Sequence, residues 1–590
     1  MQARPGFALW VLWAALTLAP AACAQTPPQT PRLGEVSFPV SCAPGVQEAF
    51  DQGVAWLHSF EFEQAEKVFR GIARQDPPCA MAEWGIAMSL WHPLWEHPDA
   101  ASLRQGWEAV SKAEALGGKT PRERDYIAAA AAFYRDSAKL SHQERAEAYS
   151  RAMQQVYERY PQDLEAAAFY GLSLLAAEPS PDPGLASRRK AAAVLEPVFA
   201  QNPQHPGAAH YLIHAYDVPE LAPQGLKAAR EYARIAPASP HALHMPSHIF
   251  VRLGLWQEAI ASNLASEAAA EKVLEMGGAG HAMHALDFLH YAYLQIGQDE
   301  KARAVMDKVA HADWMNSQDR AANLADLEKR YALETHDWKK AAALATPPGA
   351  GLRLQAALDW ARSLAQARLG NAAAARKQLQ ALETVQSKLA AAHDRYGPDP
   401  FRVEVGEATA WVAEAEGRKP EAAEAARAAA QEEERRGGPY VLGIPASEML
   451  GDLLLEQQRP AEALAAYESA LKQSPNRFDT LYGAARAAEL AGKKPEAWRY
   501  YQALLQTCPE AEASARSCGR LLAPAASRTA RACRAPASRT AASCASRMRS
   551  LPAITASSSS SPIETGLFQA SRGASAAFMP TACPEARDRP

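Results

Sequence analysis

Leu450 to Pro475 read LGDLLLEQQRPAEALAAYESALKQSP, with Gly451, Ala463, Tyr467, Ala470 and Pro475 at successive spacings of 12, 4, 3 and 5 residues. Gly or Ala at the small positions lets two helices approach closely. The aromatic fills the gap above them, and Pro ends the second helix. Thirty-four residues after Ala463 and Tyr467 stand Ala497 and Tyr501, in KKPEAWRYYQALL. The same skeleton opens the chain as Gly53, Ala65, Phe69 and Pro77, in DQGVAWLHSFEFEQAEKVFRGIARQDP.

These residues resemble the tetratricopeptide repeat, whose signature is this small–small–aromatic–small–Pro series over 34 residues. Weaker copies lie around Ala259 (GLWQEAIASN), Ala302 (GQDEKARAVM) and Ala374 (GNAAAARKQL). The resemblance implies an all-α chain built as a right-handed α-α superhelix over residues 45–512. About eight to ten hairpins stack there because none buries its apolar face alone. CAMAEWGIAMSLWHPLW, Cys79 to Trp95, and the histidine stretches below are similar to a group of exported bacterial tetratricopeptide proteins. That likeness implies the fold and names no reaction.

Composition agrees. Ala dominates the apolar residues, and it loses no side-chain entropy in a helix, unlike Val and Ile. A formal net charge of −4 over 590 residues gives no electrostatic reason to expect nucleic acid or an anionic membrane as partner.

Residues 1–24 read as a signal peptide. Arg4 supplies the positive end, Phe7 to Pro20 (FALWVLWAALTLAP) the apolar run, and Ala22-Cys23-Ala24 a small-x-small cleavage site. A lipid anchor on Cys23 is the competing reading, disfavoured by Pro20. No later run of about 18 apolar residues offers a transmembrane segment. The mature chain is therefore expected to be exported, most simply to a periplasm, with residues 25–44 as a linker. An oxidising compartment permits Cys42 and Cys79 to pair, each just before a predicted helix about one repeat apart. From Ala513 to Ile563 no acidic residue occurs, and Ser557 to Ser561 is a serine run. Residues 513–590 are read as a low-complexity tail, disordered or translated from a shifted frame.

The chemistry-bearing feature is a set of histidines. HPGAAHYLIHAYD (205–217) and PHALHMPSHIF (240–250) place His210 and His244 34 residues apart, and His214 and His248 likewise. Within each pair the spacing i,i+4 puts both imidazoles on one helix face. In a tetratricopeptide stack, residues one period apart occupy equivalent places on neighbouring inner helices, roughly 10 Å apart. Asp217 continues the first face. Aligning Ala302 with Ala259 brings Asp287 opposite His244 and Tyr291 opposite His248, with His284 beside Asp287.

Two functions compete for this face. One is a binding scaffold that holds a protein segment or small ligand in a concave groove lined by His210, His214, His244, His248 and Tyr291. In that reading the rigid loop carrying Trp91, His92 and Trp95 caps the groove. The other is a metal-binding protein or metal-dependent enzyme whose candidate ligands are His210, His214, Asp217, His244, His248, His284 and Asp287. Imidazole and carboxylate suit zinc, copper or non-haem iron. Simple packing of histidines between helices is the third alternative. Neither pair encloses the Glu of a zinc protease, and Pro246, between His244 and His248, is expected to restart the helix.

Overall fold

A computed structural model describes residues 31–94, 97–179, 182–391 and 401–508. They are helical hairpins joined by short turns, with no strand among the described residues. They lie within one compact unit, Met1–Leu522. The predicted leader, residues 1–24, and the predicted tail, residues 513–590, lie outside the described residues.

Local sequence sets the helix starts. Pro121, Pro206, Pro240 and Pro460 each occupy a first turn, where the missing N–H has no partner to lose. Thr120 with Glu123, and Ser141 with Glu144, close capping boxes.

Packing between hairpins follows the small and aromatic positions. A Cβ on Gly53 would lie 2.7 Å from the Phe69 ring, and Gly85 of the next inner helix abuts the same ring. At the other end Tyr467 plays this part between Gly451, where a Cβ would lie 2.8 Å away, and Gly483. One ring thus wedges between successive inner helices wherever the repeat signature is strong.

Two features exceed a plain stack. Residues 25–44 are predicted as a linker, but Leu33 to Ser41 form a packed, extended strap. Phe38 is fully buried among Phe50, Trp84 and Tyr126, with ring centroids 5.4, 5.1 and 4.8 Å away. Backbone partners fix the strap in place: Phe38 N–H donates to Asp51 (2.8 Å), Glu35 N–H to the Gln204 carbonyl (2.8 Å) and Ser41 N–H to Glu123 (2.6 Å). Cys42 and Cys79 are joined by a disulfide at its end. The second feature is a return of the C-terminal repeats onto the middle of the chain. Arg252 donates to the Pro439 carbonyl (2.7 Å), and Trp256 Nε1–H to that of Asn476 (2.8 Å). No helix among the described residues is long and apolar enough to cross a membrane.

Candidate metal centre

The histidine pairs sit on inner helices Pro206–Tyr216 and Pro240–His244/Pro246–Arg252. Pro246 breaks the latter at Met245, yet His248 N–H still reaches the Met245 carbonyl (3.2 Å). The face therefore continues across the break. Helix Gly278–Gln295 follows as the third inner helix.

Two groups of three imidazoles form. His210, His214 and His241 make the first; His244, His248 and His284 make the second, and in each the three candidate ligand atoms lie within 4.8 Å of one another. Each group takes an i,i+4 pair from one inner helix and a single histidine from the next. The 34-residue period copies the i,i+4 pair, while the third histidine differs, His241 lying one turn before the position that His284 occupies.

In the first group, Nε2 of His210 lies 3.0 Å from Nε2 of His214 and 3.0 Å from Nε2 of His241. The other ring nitrogen of His210, Nδ1, is 2.6 Å from the His58 carbonyl oxygen. A carbonyl only accepts, so Nδ1 carries the proton and Nε2 presents a lone pair to both neighbours. His58 is itself fixed from behind. Its Nε2–H donates to Glu165 (2.7 Å), and its Nδ1 accepts from Tyr211 OH (2.9 Å). Phe60, at φ 54°, covers this group, with its ring 4.4 Å from that of His210, 5.7 Å from His214 and 5.6 Å from His241.

The second group is tied back more completely. Asn263 Nδ2 donates to the Ala259 carbonyl (2.8 Å), which turns its Oδ1 towards His244 Nδ1 (2.6 Å). Asp217 accepts from His248 Nδ1–H (2.8 Å) and from Arg252 Nε–H (2.9 Å). Burial alone would raise the Asp217 carboxyl, but Arg252 and His248 hold it well below the usual range, as a carboxylate. Both imidazoles of the pair thus donate through Nδ1, and their Nε2 atoms face each other at 3.0 Å. Phe288 covers this group at 4.7, 4.8 and 5.2 Å from the rings of His244, His248 and His284.

Burial pulls His210 and His284 down to about 3, and His214, His241 and His244 well below the ordinary histidine value. These rings are neutral near pH 7, the form in which imidazole binds a metal. An ion about 2.0–2.1 Å from each nitrogen spaces tetrahedral ligands about 3.3 Å apart, close to the 3.0 Å of the His210–His214, His210–His241 and His244–His248 pairs, and the remaining ligand atoms lie within 4.8 Å.

Other expected site residues lie elsewhere. Asp287 pairs with Arg330, and Tyr291 OH accepts from Arg477 (2.8 Å). The expected register is wrong by about one turn: His284 and Phe288, not Asp287 and Tyr291, stand beside His244 and His248. The six-residue 3-10 segment Glu271–Met276 before the third inner helix changes its phase. Trp91 is a core residue, 2% exposed and 4.3 Å from the Tyr149 ring, and His92 stacks on Phe62 at 4.3 Å. Neither caps an open groove. Trp95 lies outside the described residues.

Sequence reasoning missed His241, Phe60 and Asn263. His241 was within reach, since it precedes His244 by three residues and shares its face. Phe60 and Asn263 carry no motif.

A sequence profile of the tetratricopeptide repeat family matches residues 448–512. Comparison with curated proteins gives no match. Among solved structures the chain is similar to the human IFIT1 dimer with m7Gppp-AAAA, at 14% identity and a TM-score of 0.35, covering 72% of this chain and 90% of that one. The human IFIT1 dimer with PPP-AAAA gives 12% identity and a TM-score of 0.35, over 76% and 94%. Residues 448–512 carry the tetratricopeptide repeat in sequence, and the helical hairpins at the other end of the stack share its glycine–aromatic packing.

Proposed function

We propose that this protein binds transition-metal ions through the two tri-histidine groups on its inner helices. One observation carries the reading: Nε2 of His244 and of His248 face each other at 3.0 Å while both Nδ1 atoms already donate, to Asn263 and Asp217. Two lone pairs so placed repel, and a cation between them turns the repulsion into ligation. Asp217 and the His58 carbonyl act as the outer partners that orient ligating imidazoles in metal sites. The all-nitrogen donor set suits zinc, copper or iron.

This reading displaces the open recognition groove, because His210 and His244 are 0% and 1% exposed and offer no surface to a peptide. The Cys42–Cys79 disulfide supports a working place in an oxidising compartment, such as a periplasm.

The test is the metal content of untagged full-length protein by inductively coupled plasma mass spectrometry, before and after addition of zinc, copper or iron. Stoichiometric metal that falls by about half in His244→Gln/His248→Gln, which leaves the His210 group intact, with helical circular dichroism retained, is the expected result. Protein that takes up none of the three metals overturns the reading.

A further inference from the structure

Four observations bear on how the two groups relate. First, His241 and His244 lie three residues apart on one short helix, Pro240–His244, and one serves each group. Their ring centroids are 6.2 Å apart, and those of His214 and His248 are 6.1 Å apart. The groups therefore touch along two edges. Second, the cover is duplicated: Phe60 packs on all three rings of one group and Phe288 on all three of the other. Third, the burial is uneven. His284 and its neighbour one turn earlier, His281, are the partly exposed imidazoles here, which puts the approach from solvent on helix Gly278–Gln295. Fourth, all six candidate ligands are imidazoles, and Asp217, which holds the His248 ring, is already offset by Arg252 at 2.9 Å. A further carboxylate, buried Glu61, lies behind His241 and 3.3 Å from His281, so two divalent ions would leave an excess of positive charge.

We infer that the two tri-histidine groups form one binuclear centre, holding two ions side by side with a small anion bridging them. This rests on the metal reading above. Three protein ligands leave a tetrahedral ion one open position. Two such ions in adjoining sites point their open positions into shared space, and a one- or few-atom anion such as hydroxide offsets the charge that neutral imidazoles leave. The side of His284 admits it. Neither Phe60 nor Phe288 supplies a donor that could take its place.

Copper(II) is the probe, because imidazole binds it tightly and each isolated ion contributes one full unpaired spin. The full-length chain is loaded with copper(II), its stoichiometry read by native mass spectrometry and its spin count by electron paramagnetic resonance. Azide is then added as the bridging anion. Two ions per chain are expected, with an integrated intensity far below that of two isolated ions and an azide-dependent absorption band. His284→Asn, at the least buried ligand, is expected to leave one ion, restore the full intensity of a lone copper and abolish the band.

Two ions with the full intensity of isolated spins, a single ion in the unaltered chain, or no azide band would each overturn the binuclear centre and leave tri-histidine binding standing. No copper bound at all would overturn both. Retention of two coupled ions in His284→Asn would overturn the membership of His284, and with it the arrangement inferred here.

Discussion

Two buried polar clusters occupy this stack, and they differ in one respect. Around Arg477 every demand is met. Its guanidinium, 0% exposed, donates to Glu448 (2.9 and 3.0 Å), Glu334 (3.1 and 3.2 Å) and Tyr291 OH (2.8 Å). The histidine centre is also largely buried, but there Nε2 of His244 and Nε2 of His248 point at each other while both Nδ1 atoms are already engaged. A satisfied cluster ties Glu334 and the C-terminal repeats to the middle of the chain. In the proposed metal reading, a cation lies between the facing nitrogens of the other. The contrast separates a structural network from a proposed binding site where burial alone does not.

The largest effect is expected at Arg477. Arg477→Ala strands two buried carboxylates, and losing one partner of such a network costs about 3–5 kcal/mol, read as a lowered denaturant midpoint. An unchanged midpoint would make the Arg477 cluster dispensable and erase the contrast.

Next comes the metal. Free ion at about a thousandfold excess over its dissociation constant stabilises the folded chain by about 4 kcal/mol, and thermal unfolding should show it. In His210→Gln/His244→Gln, which removes a ligand from each group, that gain should largely vanish. The Arg477 variant should keep it.

A smaller loss is expected in Asp217→Asn. Removing the charge that orients His248 should weaken metal binding about 10–100-fold without abolishing it, measured by competition with a chelator. Full affinity would make Asp217 a structural partner of Arg252 alone. The smallest effect belongs to Arg427→Ala, which breaks a half-exposed ion pair with Glu462 (2.7 Å). It should cost under about 1 kcal/mol, because solvent screens it. Set beside Arg477, it measures how much of that cluster's cost comes from burial.

The sequence disclosed the fold where the repeat is regular and the site where it is periodic. Gly451 and Tyr467 were legible because close helix approach requires one and rewards the other. His210, His214, His244 and His248 were legible because a 34-residue period carries one face onto the next helix. Asp287 and Tyr291 were misplaced because the extra segment Glu271–Met276 shifts the third helix, and spacing alone does not report the phase after an insertion. Burial was the larger surprise. A solenoid's inner helices usually line an open groove, but here Phe60, Phe288 and the returning C-terminal repeats close the space, through contacts between residues far apart in the chain.

The strap has a consequence for cooperativity. Hairpins that touch only their neighbours fray one at a time, and their stabilities add along the array. Here a thread from Arg32 to Ser41 crosses that order: the Arg32 carbonyl accepts from Ala238 N–H, Glu35 holds Gln204, and Ser41 holds Glu123. Releasing any hairpin between these anchors slackens the contacts of the others, so the N-terminal half should open as a block. The strap must also wait for the Ala238 turn, about 200 residues further along the chain, before it finds its last partner, which gives this half a late, all-or-none closing step.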